Sequence, residues 1–215
     1  MSDSPADAQQ DRDPSPWLLI GAFVVAVGGL AYELIAGTVS SYLLGDSIYH
    51  FSIVIGLFMT AMGLGAWLSQ FVEVPERAFV SAQIGLALLG GFSAVILFWA
   101  FAAVESYSPF LYGICLGVGA LVGLEIPLIL RILEGRSSLR VTAANVLAAD
   151  YVGALAAAAT FPLILVPQLG LMGSGLLFGA MNLVVAFMGI WLFPAARATL
   201  PAASSSQPPQ RPRTG

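Results

Sequence analysis

The sequence predicts an all-α membrane protein, a polytopic bundle of about six transmembrane helices with both termini in the cytoplasm. Of its 215 residues, 58% are hydrophobic and only 9% are charged, whereas soluble domains usually carry about 25% charged residues. So few polar side chains cannot cover a water-facing surface. Several apolar runs also reach the length of about 20 residues that a helix needs to cross a bilayer. We therefore expect lipid to surround most of the chain.

Six apolar runs follow one another along the chain, each long enough to cross a bilayer at about 1.5 Å per residue. The predicted spans cover residues 17–37, 50–71, 79–103, 109–131, 141–166 and 171–193. Pro162 is expected to break the last turns of the fifth span. The membrane domain thus occupies residues 16–194. It is flanked by an acidic tail over residues 1–15 and a Pro- and Ser-rich tail over residues 195–215, both predicted to be disordered.

The arginines predict which side of the membrane each loop faces. With six spans, all eight basic residues fall in the tails and in the loops near 72–78 and 131–140. They are Arg12, Arg77, Arg131, Arg136, Arg140, Arg197, Arg211 and Arg213. The loops near 38–49, 104–108 and 167–170 contain no Lys or Arg. Cytoplasmic loops are enriched in basic residues, so the pattern predicts a multi-pass protein of the inner (plasma) membrane with cytoplasmic termini.

Three carboxylates lie inside predicted spans, where an ionisable side chain is expensive and usually functional. Measured from the inner end of each span, Glu33 lies about 24 Å deep, Glu125 about 9 Å and Asp150 about 15 Å. No basic residue lies at a comparable depth, so these acids favour a cationic ligand or a proton path. The alternative is that each acid is protonated and only structural. The candidate ligand-binding residues are Glu33, Glu125, Asp150, Tyr32, Tyr151 and Asn145.

Pro127 supports a cation site beside Glu125. Because proline has no N–H, the carbonyl of Gly123 is expected to lose its helical donor and to offer a second acceptor. Other chemistry is not indicated: one His and one Cys cannot build a metal site, and no cofactor or nucleic-acid motif is present. The sequence therefore predicts no metal, no cofactor and no nucleic-acid partner.

Pairs of small residues four positions apart are assigned to tight packing inside the bundle, although homo-oligomer formation stays open. The pairs are Gly113 and Gly117, Gly119 and Gly123, and Gly175 and Gly179. The stretches GLAYELI around Glu33 and VGLEIPL around Glu125 share a few letters on helices of opposite direction. Inverted halves would produce such a pair, but chance similarity between apolar helices is the interpretation we favour.

Three stretches resemble one protein family. Residues 32–67 (YELIAGTVSSYLLGDSIYHFSIVIGLFMTAMGLGAW), 123–133 (GLEIPLILRIL) and 146–165 (VLAADYVGALAAAATFPLIL) are similar, in this order, to the membrane region of integral-membrane polyamine aminopropyltransferases, the membrane-bound spermidine synthases. In that family a soluble catalytic domain, which binds decarboxylated S-adenosylmethionine and a diamine, typically follows the membrane region. This chain shows no such domain, so the resemblance assigns no catalytic residue.

Three functions remain open at this stage. The first is a membrane protein that binds or translocates a polyamine or similar organic cation through Glu33, Glu125 and Asp150. The second is the membrane anchor of a spermidine-synthase-like enzyme, which would need a separate aminopropyltransferase subunit as its partner. The third is a structural membrane scaffold whose acids bind nothing. Whether the chain acts in an enzyme is therefore left open by the sequence.

Overall fold

A computed structural model describes residues 15–134 and 139–193, and every regular element in these ranges is a helix, which confirms the all-α prediction. Seven α-helices follow one another within these two ranges. They are α1 (Ser15–Leu44), α2 (Ser47–Leu68), α3 (Pro75–Gly85), α4 (Ser93–Ala103), α5 (Ser108–Ile132), α6 (Leu139–Thr160) and α7 (Val166–Leu192). A 3-10 turn, Ser69–Phe71, ends α2. Two π-helical turns, Leu86–Gly90 and Phe161–Leu165, join α3 to α4 and α6 to α7.

Among the residues that the structure describes, five continuous helical segments are long and apolar enough to cross a membrane, by length and composition. The first four correspond to the first four predicted spans. The fifth runs over 53 residues, Arg140–Leu192, and contains both remaining spans. Gly170 interrupts it with a non-helical backbone (φ 68°, ψ −179°). The count of six passes and the cytoplasmic termini stay predictions, and most of both predicted tails lies outside the described residues.

The first connection is much shorter than predicted. The sequence places a loop over residues 38–49, but α1 continues to Leu44 and α2 begins at Ser47. The turn between them uses Gly45 at φ 86°, and the Asp46 carboxylate accepts a hydrogen bond of 3.1 Å from the Tyr49 N–H. Polar letters after Gly37 suggested a loop. Packing overrides them, because Val39 and Ser40 are fully buried against the rest of the bundle.

Two helix pairs form the most extensive contacts of the bundle, α2 with α5 and α1 with α6. Glycines permit both approaches. A Cβ on Gly123 would lie 2.6 Å from the Met62 Cα, and one on Gly153 would lie 2.6 Å from the Phe23 carbonyl oxygen. The Gly119–Gly123 pair therefore packs inside the bundle as predicted. Gly113 does not, since a Cβ there would meet nothing within 4 Å.

A further set of contacts packs α7 against α3 and against the π turn that follows α3. Gly175 and Gly179 lie against Gly91 and Ala87 of that bent segment: a Cβ on Gly179 would lie 2.8 Å from the Ala87 carbonyl oxygen. This glycine pair is likewise an internal packing feature. Between α1, α2, α5 and α6 the packed helices leave a cavity.

Candidate functional site

The three predicted carboxylates line one cavity of about 430 Å³. Glu33 comes from α1, Glu125 from α5 and Asp150 from α6, and α2 closes the remaining wall with Met62 and Gly63. Within the described part of the chain, the cavity wall contains no Lys, Arg or His. The structure thus gathers the three acids in one place. That they bind a ligand stays a prediction.

The three acids differ in burial. Glu125 is only 1% exposed, whereas Glu33 and Asp150 are partly buried. Pro127, two residues after Glu125 on α5, also lines the cavity. Because a buried carboxylate is stabilised only by donors or cations close to it, the contacts of Glu125 decide what this end of the cavity can bind.

Gln83 supplies the donor that Glu125 needs. Its Nε2 donates a 2.7 Å hydrogen bond to Oε1 of Glu125. Gln83 is fully buried near the end of α3, and within the described residues its own Oε1 has no hydrogen-bond partner. Sequence reasoning missed this residue, although an amide in the apolar run QIGLALL is itself unusual at membrane depth.

Tyr32 neighbours Glu33 in sequence but does not line the cavity. It is 1% exposed, and its hydroxyl accepts a 2.7 Å hydrogen bond from Nδ2 of Asn182 on α7. Its ring packs edge-on against Phe178, with centroids 6.3 Å apart. Tyr32 is therefore a buried polar contact between α1 and α7. Asn182 is the second amide that sequence reasoning missed.

Asn145 and Tyr151 do not line the cavity, and that they contact a ligand stays a prediction. Both are exposed, Tyr151 at 71%. An α-helix turns about 100° per residue, which puts Tyr151 about 100° and Asn145 about 140° around α6 from Asp150. Once Asp150 faces the cavity, these two side chains must point elsewhere.

Arg131 lies in the last turn of α5 and links this helix to the end of α2. Its two terminal guanidinium nitrogens donate 2.8 Å hydrogen bonds to the carbonyl oxygens of Ser69 and Val72. The 3-10 turn after α2 thereby gains donors for carbonyls that a helix end leaves free. This contact places the carboxyl ends of α2 and α5 together at the end of the bundle.

The parts of the chain that the structure describes hold no group of three or more His, Cys, Asp or Glu side chains placed to bind a metal ion. The cavity combines carboxylate acceptors with the apolar walls typical of small-molecule sites.

Several curated proteins similar to this chain are named polyamine aminopropyltransferases. The polyamine aminopropyltransferase of Leptospira interrogans is 41% identical over 180 residues, which cover 82% of this chain and 36% of that protein. Polyamine aminopropyltransferases 1 and 2 of Ralstonia nicotianae are 45% and 47% identical over 207 and 184 residues, covering 91% and 83% of this chain and 39% and 36% of theirs.

The chain is similar to one segment of polyamine aminopropyltransferases. It spans little more than a third of the length of these relatives, and the identities support the family resemblance seen in the sequence. No protein-family model matches the chain, and no solved structure matches it.

Proposed function

We propose that this chain is the membrane portion of a polyamine aminopropyltransferase-like enzyme and works with an aminopropyltransferase catalytic domain, in the same or a separate chain. The observation that carries the proposal is the similarity of 34–47% identity that covers at least 77% of this chain in eight aminopropyltransferases. The five apolar helical segments support a place in the bilayer.

A chimera tests the proposal. The matched segment of Ralstonia nicotianae polyamine aminopropyltransferase 2 is replaced by residues 15–193 of this chain, and the protein is expressed in cells that cannot make spermidine. We expect the chimera to enter the membrane fraction and to restore spermidine. The controls are the relative without the segment and the relative carrying an unrelated helical bundle. A membrane-bound but inactive chimera, beside an active native relative, would contradict the proposal.

We propose six passes, with both termini in the cytoplasm of a plasma-membrane protein. A helix of 53 residues measures about 80 Å, more than twice the hydrocarbon thickness of a bilayer, so it is expected to turn back at Gly170, where the backbone is not helical. Contacts of α7 with the π turn that precedes it and with α1 support this reversal. In this arrangement the lipid bilayer surrounds the helices and is a partner of the chain.

A second candidate function is the binding of a polyamine or similar organic cation in the acidic cavity, with translocation as its extension. Three carboxylates line one cavity whose wall has no basic side chain among the described residues, and this favours cation binding. The volume of about 430 Å³ lies within the range of about 300–1,000 Å³ that small-molecule pockets occupy. A chain of ammonium groups could neutralise acids that lie several ångströms apart.

Calorimetry of spermidine with detergent-purified protein tests this function. We expect wild type to bind and the folded variants Glu125→Gln and Asp150→Asn to bind at least about tenfold more weakly, because each loses a charge-assisted hydrogen bond. Glu105→Gln, which changes an exposed loop acid, is the matched control. Uptake of labelled spermidine into proteoliposomes separates transport from binding. Absence of binding by folded wild type would leave the acids a structural role.

A further inference from the structure

Two buried amides make equivalent contacts across the bundle. The chain divides into a first half, α1–α4, and a second half, α5–α7. Gln83, on the third pass of the first half, donates to Glu125 on the first pass of the second half over 2.7 Å. Asn182, on the last pass of the second half, donates to Tyr32 on the first pass of the first half over the same distance.

The helix packing repeats this equivalence. In the two most extensive contacts, the second helix of each half packs on the first helix of the other: α2 on α5, and α6 on α1. The cavity is lined by the first two helices of each half, and the bent pass α3–α4 packs against α7. Halves of three passes run in opposite directions, and binding sites of inverted-repeat membrane proteins lie at the interface between such halves.

The two contacts differ in their acceptor oxygens. This difference gives Gln83 and Asn182 different roles. Tyr32 presents a neutral hydroxyl and does not line the cavity, so the Asn182 contact joins helices only. Glu125 presents a carboxylate that does line the cavity. Gln83 keeps its Oε1 buried without a partner while its Nε2 donates to Glu125. Burying an unpaired acceptor is unfavourable, so stability alone does not account for a glutamine at this position.

We propose that Gln83 is a positioning residue for Glu125: it holds one carboxylate oxygen as an acceptor and leaves the other for an ammonium group in the cavity. The inference rests on the proposed binding of an organic cation. A donor at Oε1 fixes the rotamer of the Glu125 carboxylate, so the ligand meets an oriented acceptor. Without Gln83, the buried carboxylate would lose its protein donor.

The experiment measures spermidine affinity by calorimetry for wild type, Gln83→Met, Asn182→Leu, Glu125→Gln and the double variant Gln83→Met/Glu125→Gln. Gln83→Met is expected to weaken binding at least about tenfold, because a hydrogen bond to a charged group is lost. Asn182→Leu removes a hydrogen bond of an equally buried side-chain amide that lies away from the cavity. Its spermidine affinity is expected to stay within about twofold of wild type. Thermal unfolding of each variant reports any general loss of stability.

The double variant shows whether Gln83 acts through Glu125. Adding Gln83→Met to Glu125→Gln is expected to weaken binding by less than about twofold more, since positioning has no effect without the carboxylate. Equal losses in Gln83→Met and Asn182→Leu, or full additivity in the double variant, would overturn the role of Gln83 while leaving the cation site standing. Folded wild type that does not bind spermidine would overturn the cation site and this inference with it.

Discussion

At the scale of single residues, the burial of the Glu125 carboxylate in the cavity wall is expected to lower the stability of the folded protein. The Glu125 carboxylate is 1% exposed and accepts a hydrogen bond from Gln83, and a charge that is buried in this way is poorly solvated. We expect Glu125→Gln to unfold at an equal or higher temperature than wild type without ligand. Spermidine should raise the unfolding temperature of wild type but not of the variant, because a ligand stabilises only the state that binds it. A clear drop in the unliganded variant would contradict this.

Arg131 gives a second prediction at this scale. Its guanidinium bonds the carbonyls of Ser69 and Val72 at once, a geometry that the single ammonium group of lysine cannot reproduce. We expect Arg131→Lys to destabilise the protein by about 1–3 kcal/mol, measured by unfolding in detergent. Arg140→Lys, at an exposed position, is the control and should have little effect. An equally stable Arg131→Lys variant would show that these bonds matter little.

The sequence could identify the three acids because a charge in an apolar run needs no knowledge of the fold to be conspicuous. It could not place Asn145 and Tyr151, since their distance from the cavity depends on the rotation of α6 about its axis, which packing against α1 decides. Gln83 and Asn182 show a signal of the same kind as the acids, a polar side chain in an apolar run. Because a buried amide costs less free energy than a buried charge, it is a weaker indication of function in the sequence.

At the scale of helices, close backbone contact between α2 and α5 holds one wall of the cavity. A Cβ on Gly123 would lie 2.6 Å from the Met62 Cα, and backbone cannot yield as a flexible side chain can. We expect Gly123→Ala to destabilise the protein by about 1–3 kcal/mol. Gly113→Ala on the same helix meets nothing within 4 Å and is expected to be neutral or to stabilise by up to about 1 kcal/mol.

Chemical unfolding of both variants in detergent checks this pair. Similar stabilities of Gly123→Ala and Gly113→Ala would mean that α2 and α5 separate easily, and that the cavity wall is softer than the structure implies. The sequence assigned both glycines to packing stripes from their spacing alone. Spacing marks one face of a helix but not the partner that covers it, which is why only Gly123 of the two meets a neighbouring backbone.

Helix existence followed from apolar length, whereas helix ends did not. Residues 38–44 are polar enough to predict a loop, yet Val39 and Ser40 are fully buried, and α1 continues through them. The π turn at Leu86–Gly90 likewise has no counterpart in the prediction of one continuous third span. Both differences arise because contacts with neighbouring helices outweigh local preference.

At the scale of the whole molecule, the acidic cavity and the aminopropyltransferase similarity point to the same chemistry from independent observations. The proposed cation would neutralise the carboxylates of the cavity wall, which has no Lys, Arg or His among the described residues. The relatives are named for polyamines, which are cations, although the chain covers only 36–39% of the first three of them. A membrane portion that binds the polyamine handled by its catalytic domain would unite both proposed functions.

The number of passes is the prediction on which this picture of the molecule depends. Six passes put tags fused to the two termini on the same side of the membrane, whereas a straight Arg140–Leu192 helix would put them on opposite sides. Protease protection of the tags in sealed vesicles distinguishes the two. In a Cys115→Ala background, which removes the buried native thiol, Glu105→Cys should react with an impermeant reagent outside intact cells and Glu134→Cys only after permeabilisation, because the arginines mark the Glu134 end as cytoplasmic. Tags on opposite sides would mean that Gly170 does not reverse the chain, and the inverted relation between the halves would fall with it.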